Sequence, residues 1–149
     1  MLAAIASALH LLALAIGLPA VFLRGRALRG PLDAAGLRRL FAADNVWGIA
    51  AVLWIATGLY RAFGGLEKGA TFYLGSRLFW LKMALFLGIL ALEIAPMTAF
   101  IRWRRQLGRG ERPDTARAPA FAAASHAELA LVAIMIFVAA FMARGFGAG

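Results

Sequence analysis

Four long apolar runs dominate the pattern along the chain. They cover residues 2–23, 45–63, 78–101 and 120–143, with only isolated polar positions inside them. About 20 apolar residues in a helix cross a ~30 Å hydrocarbon core, so each run predicts a membrane-spanning helix. No long stretch alternates with a period of two, as a membrane β-barrel strand would. The expectation is an all-α integral membrane bundle of four transmembrane helices, forming one domain over residues 1–149. The first run has no Lys or Arg before Arg24 and no small-residue cleavage pattern after it, so it reads as a retained helix.

Composition agrees with the pattern. Of the 149 residues 63% are hydrophobic and 15% charged, against ~45–50% and ~25% in soluble domains. There is no cysteine, which excludes disulfides, thiolate zinc sites, iron–sulfur clusters and c-type haem attachment. Two histidines exclude a three-histidine metal site. The net charge of +9 would suggest nucleic acid in a soluble protein, but its placement points to topology and anionic lipid. Arg24, Arg26, Arg29, Arg38 and Arg39 fall between the first two runs, and Arg102, Arg104, Arg105, Arg109, Arg112 and Arg117 between the last two. Only Arg61, Lys68, Arg77 and Arg144 fall on the other side. The positive-inside rule then puts both termini outside a bacterial inner membrane and the two arginine-rich loops in the cytoplasm. The lipid bilayer and other membrane subunits are the expected partners, and nucleic acid is not.

Gly30-Pro31 followed by Asp33 has the form of a helix start. Leu37, Leu40 and Phe41 follow at helical spacing beside Arg38 and Arg39, which predicts a short amphipathic helix on the cytoplasmic surface in the first loop. Asp44 then caps the second span. Aromatic residues gather near both interfaces: Tyr60, Phe63, Phe72, Tyr73, Phe79 and Trp80 outside, and Phe22, Trp47, Phe100 and Trp103 inside.

Ionisable groups inside a bilayer are functional candidates by default. His10 shares a face with Ala3, Ser7, Ala13 and Gly17, a small-residue stripe that lets a neighbouring helix approach. Its readings are an axial haem ligand, a proton-relay group or an interhelical hydrogen bond. Lys82 and Glu93 lie three turns apart on one face of the third span, and Lys82 is also placed to snorkel outward. A buried Glu93 needs neutralisation or a partner, and His126 at similar depth is one. His126 has two readings. Ser125-His126-Ala127-Glu128 fits a capping box at a wet helix start, whereas a helix beginning at Pro119 buries His126 two turns deep. The longer helix is favoured, because residues 120–124 would otherwise be an apolar loop. Trp54 in mid-span is either packing or the wall of a cofactor pocket.

With His10 in the first helix, Ala43-Asp44-Asn45 followed by Trp47-Gly48 at the second, the GLYRAFGGLEKG segment and the FWLKM start of the third, the chain resembles an uncharacterised family of bacterial four-helix membrane proteins, a domain of unknown function. The likeness covers nearly the whole chain. That family is distantly similar to the HemJ-type protoporphyrinogen oxidases and to CopD-like membrane proteins. This resemblance implies haem b or another tetrapyrrole bound at His10 and Lys82, with His10 on the iron. His126, the chain's other histidine, is a further candidate cofactor-site residue on the reading of the residues alone. The competing reading is a non-catalytic accessory subunit of a larger respiratory or photosynthetic complex, since no complete catalytic constellation is present. Transport ranks third.

Overall fold

The computed structural model describes residues 1–64 and 70–146, without the side chains of residues 70–72. Lys68 and the side chain of Phe72, both used in the sequence reading, therefore lie outside the described residues. Four long helices, α1 (Leu2–Arg29), α2 (Ala34–Phe63), α4 (Arg77–Gly108) and α5 (Ala118–Ala143), are joined in up–down order, with the short α3 (Ala70–Gly75) between α2 and α4. All four are long and apolar enough to cross a membrane. One end of the bundle carries the termini and α3. The other, arginine-rich end carries the α1–α2 turn and the α4–α5 connection.

The helices are longer than the apolar runs because charged flanks remain helical. α1 has 28 residues, α2 has 30 and α4 has 32. At about 1.5 Å per residue they span roughly 42–48 Å, well beyond a ~30 Å core. The excess stands at the arginine-rich end. The expected surface helix is one consequence. Its residues are helical, but they form the first turns of α2 rather than a separate element. Leu37 and Leu40 are buried there with Leu28, Phe100, Trp103 and Phe121 instead of lying on a membrane surface. Asp33, not Asp44, caps this helix: its side chain accepts the Gly36 N–H at 2.7 Å.

Two helices end for legible reasons. α4 ends at Arg109-Gly110, where Gly110 takes φ 74° and the Glu111 N–H reaches the Gln106 carbonyl at 2.9 Å. α5 ends the same way, with Gly145 at φ 87°, the Phe146 N–H on the Phe141 carbonyl, and the two rings in edge contact. Both are glycine-terminated Schellman ends.

α1 packs closely along α2 and α5, and α5 along α4. α2 and α4 stand further apart and are bridged by long side chains. Three apolar layers fill the interior: Leu28, Leu40, Phe100 and Phe121 with their neighbours at the arginine-rich end, Val21, Trp47, Ile89 and Val132 in the middle, and Tyr73, Phe79 and Met142 near the termini. The aromatic belts are thus corrected at both ends. Trp47, Phe100 and Trp103 at one end and Tyr73 and Phe79 at the other are core residues, while Phe22, Tyr60, Phe63 and Trp80 are exposed as a belt requires.

Candidate functional site

Between the first two apolar layers lies a charged one. Each long helix supplies it at the phase of its own core face: Arg24 between Val21 and Leu28, Asp44 between Leu40 and Trp47, Glu93 between Ile89 and Phe100, and Glu128 between Phe121 and Val132. Arg24 is the hub. Its side chain is fully buried, so the sequence reading of it as a topology charge in the first loop is corrected. Its guanidinium grips Glu93 with both ends, at 2.8 and 2.9 Å, and donates to Glu128 Oε2 at 2.5 Å. It also donates to Asp44 Oδ1 at 3.3 Å and to Ser125 Oγ at 3.1 Å. Its planar fork suits this many-sided pairing in a way a lysine would not. Trp47 and Phe100 flank it, each with its ring centroid 6.0 Å from the guanidinium carbon.

Outer contacts hold the carboxylates. Trp47 Nε1 donates to Glu93 Oε2 at 3.2 Å. Arg104 donates to Asp44 Oδ2 at 2.8 Å and to Asn45 Oδ1 at 3.0 Å, and lies over the Phe41 ring. Ser125 spends its own hydrogen on the Phe121 carbonyl, which leaves its oxygen to accept from Arg24. The cluster thus holds two guanidinium groups and three carboxyl groups. Burial is graded: the Arg24 and Glu128 side chains are 0% exposed, Asp44 13%, Glu93 22% and Arg104 34%. Glu128 Oε1 is buried and has no hydrogen-bond partner.

The residues singled out from the sequence scatter over this frame. Glu93 joins the cluster, but its partners are Arg24 and Trp47, and the proposed Glu93–His126 pair is not formed. The longer form of α5 is present, starting at Ala118, so Ser125 and Glu128 are interior residues and not a capping box. His126 Nδ1 donates to the Ala122 carbonyl at 2.6 Å. Its ring packs on Gly25, where a Cβ would come within 2.8 Å of Cε1. His10 faces α2. Its Nδ1 lies 2.9 Å from Thr57 Oγ1, whose hydrogen goes to the Leu53 carbonyl at 2.7 Å, so the imidazole is the donor. Its ring stacks on Trp54 at 5.6 Å and closes over Gly58. His126 sits level with Gly25, fifteen residues along α1 from His10, or about 22 Å. The two histidines therefore serve different sites. Lys82 is half-buried on α4, eleven residues and about 16 Å from Glu93.

A family model described as a predicted membrane protein, DUF2214, matches residues 2–147. The chain belongs to this family. No curated protein and no solved structure matches it. The match upholds the uncharacterised-family resemblance, and the likeness to HemJ-type and CopD-like proteins is not shown. For a DUF2214 protein the geometry itself must supply the chemistry. A cavity between α1 and α2, lined by Ala13, Gly17, Trp47 and Trp54, measures about 10 Å³, room for at most one water and not for a tetrapyrrole.

Proposed function

We propose that this DUF2214 protein is a small proton-binding subunit of a bacterial inner-membrane assembly, with the Arg24 layer as its working centre. The observation that carries this reading is Glu128: a carboxyl group buried at the middle of an ion cluster, one oxygen on Arg24 and the other without a donor. With Arg24 and Arg104 cationic, the layer is neutral only when one of its three carboxyl groups holds a proton. A proton on Glu128 Oε1 neutralises it in an apolar surround where net charge is costly. The other oxygen, Oε2, is tied by Arg24 to Asp44 and Glu93, both partly exposed, and Asp44 leads on to Arg104 and the arginine-rich end. Intramembrane carboxyl groups paired in this way are the usual material of proton relays. The test is infrared spectroscopy of the reconstituted protein. The wild type should show the C=O band of a protonated carboxyl that disappears in Glu128→Gln. A spectrum without that band, or one unchanged in Glu128→Gln and Glu93→Gln alike, overturns the reading.

The alternative reading is a tetrapyrrole at His10, favoured by the way Thr57 and Trp54 fix that ring. Because the small cavity between α1 and α2 cannot hold it, such a group would lie beside His10 on the lipid-facing side of these helices. Purification after expression with ample haem decides it. A colourless preparation ends this alternative, and a Soret band lost in His10→Ala establishes it.

A further inference from the structure

The outer seam between α1 and α2 opens into a groove of about 720 Å³ at the arginine-rich half of the bundle. Small residues carve its upper part, among them Ala27 on α1 and Ala43 on α2, and Ile16, Leu23 and Val46 line the part below. Arg26 and Arg39 are the charged residues on its walls, one from each helix, and no carboxylate lines it. Both are exposed, and among the described residues neither pairs with an acid, unlike Arg24, Arg104 and Arg109. From Arg26 to Ile16 is ten residues of helix, about 15 Å, which is half of a ~30 Å hydrocarbon core and thus one leaflet deep.

We infer that this groove is a binding site for an anionic phospholipid, its phosphate held by Arg26 and Arg39 and an acyl chain lying along Leu23, Val46 and Ile16. Two cations without counter-ions sit where a helix leaves the hydrocarbon, and they call for an anion. The apolar track directly below calls for a tail on that anion. One molecule with both features is a phospholipid of the leaflet on the arginine-rich side. The arginines' five-donor forks suit a phosphate. The site is independent of the buried Arg24 layer, which faces the bundle interior.

The test uses the full chain purified in neutral detergent, with phosphatidylglycerol as the probe and phosphatidylcholine and inorganic phosphate as comparisons. Phosphatidylglycerol should raise the unfolding temperature, and the other two should not. A basic residue near a membrane surface contributes about 1 kcal/mol of attraction to anionic lipid. The double variant Arg26→Gln/Arg39→Gln should therefore bind phosphatidylglycerol about thirtyfold more weakly, which is about 2 kcal/mol. Arg102→Gln/Arg105→Gln makes the same change in net charge at the same end of the bundle and should keep wild-type binding. Ala43→Trp, which fills the groove with both arginines intact, should also weaken it. Equal loss in both arginine pairs would mean diffuse attraction to a basic surface and overturn the site. Wild-type binding in the groove variants would do the same, as would a shift produced by inorganic phosphate alone. A dimer cross-linked through Ala43→Cys and unaffected by phosphatidylglycerol would overturn the lipid site and assign the groove to a second copy.

Discussion

Replacing Arg24 by methionine removes the one cation that, among the described residues, reaches Glu93, Glu128 and Asp44 together. Methionine keeps most of the aliphatic volume, so the change tests charge and hydrogen bonding more than packing. Removing one partner of a buried ion pair costs about 3–5 kcal/mol, because the other charge is left uncompensated. Arg24→Met should therefore destabilise the bundle by about 4 kcal/mol, read from reversible unfolding in mixed detergent micelles. The triple variant Arg24→Met/Glu93→Gln/Glu128→Gln leaves no stranded carboxylate beside the lost guanidinium. It should return to within about 1.5 kcal/mol of wild type, as buried ion clusters replaced whole often do. An Arg24→Met protein within about 1 kcal/mol of wild type would refute the reasoning, and so would a triple variant no better than the single one.

Three further outcomes are expected. Gly25→Ala puts a methyl group 2.8 Å from His126 Cε1 and should cost about 1–3 kcal/mol as overpacking, with His126→Ala restoring stability; absence of that rescue would disprove the α1–α5 seam. Trp47→Phe loses a 3.2 Å bond to Glu93 and the part of the indole packed against Gly17, so it should cost about 1–2 kcal/mol: about 0.6 for the hydrogen bond and the rest for lost ring volume, well below the ~3–5 kcal/mol of a full truncation of a buried tryptophan; a loss near that of Arg24→Met would contradict the assignment of the hub to arginine. The cysteine-free chain allows single cysteines to report sidedness. In intact cells a membrane-impermeant thiol reagent should label Leu2→Cys and not Thr115→Cys, and the reverse pattern would invert the proposed topology.

The four spans were legible because an apolar run of helical length leaves few alternatives. The charged layer was less so, for a specific reason. Arg24 directly follows the apolar run, and the rule that places arginines in cytoplasmic loops assigned it there. Its helical phase carried the contrary signal: Gly17, Ala20, Val21, Arg24 and Leu28 recur at spacings of three and four on one face. Asp44, Glu93 and Glu128 repeat the same signal on the core faces of their own helices. Three acids with core phase in an apolar bundle require a cation of core phase, and Arg24 is the basic residue that has one. Glu93 was found because it stood alone in a span, whereas Glu128 was hidden by a capping-box pattern that the helix start at Ala118 overrides. His10 was read as facing a neighbouring helix, and it faces α2, but the sequence could not show that Thr57 and Trp54 are the residues that meet its ring.

The position of the charged layer follows from what can hold helices together in lipid. Burial of apolar side chains gives little preference for a neighbouring helix over an acyl chain, so association rests on packing and polar contacts. α1 has close packing with α2 and α5, built on small residues such as Gly17 against Trp47 and Gly25 against His126. α2 and α4 lack that close approach. What joins them is Arg24, reaching Asp44 on one and Glu93 on the other, together with the Trp47–Glu93 and Arg104–Asp44 contacts. A one-turn slip of either helix would move its carboxylate about 5.4 Å from the guanidinium and strand a charge in an apolar layer. The same five side chains therefore set the register of the bundle and concentrate its titratable groups at one level. On the proposed reading, a change in the protonation of Glu128 on α5 would act through Arg24, which also holds Asp44 on α2 and Glu93 on α4, and so alter the contacts that join those two helices.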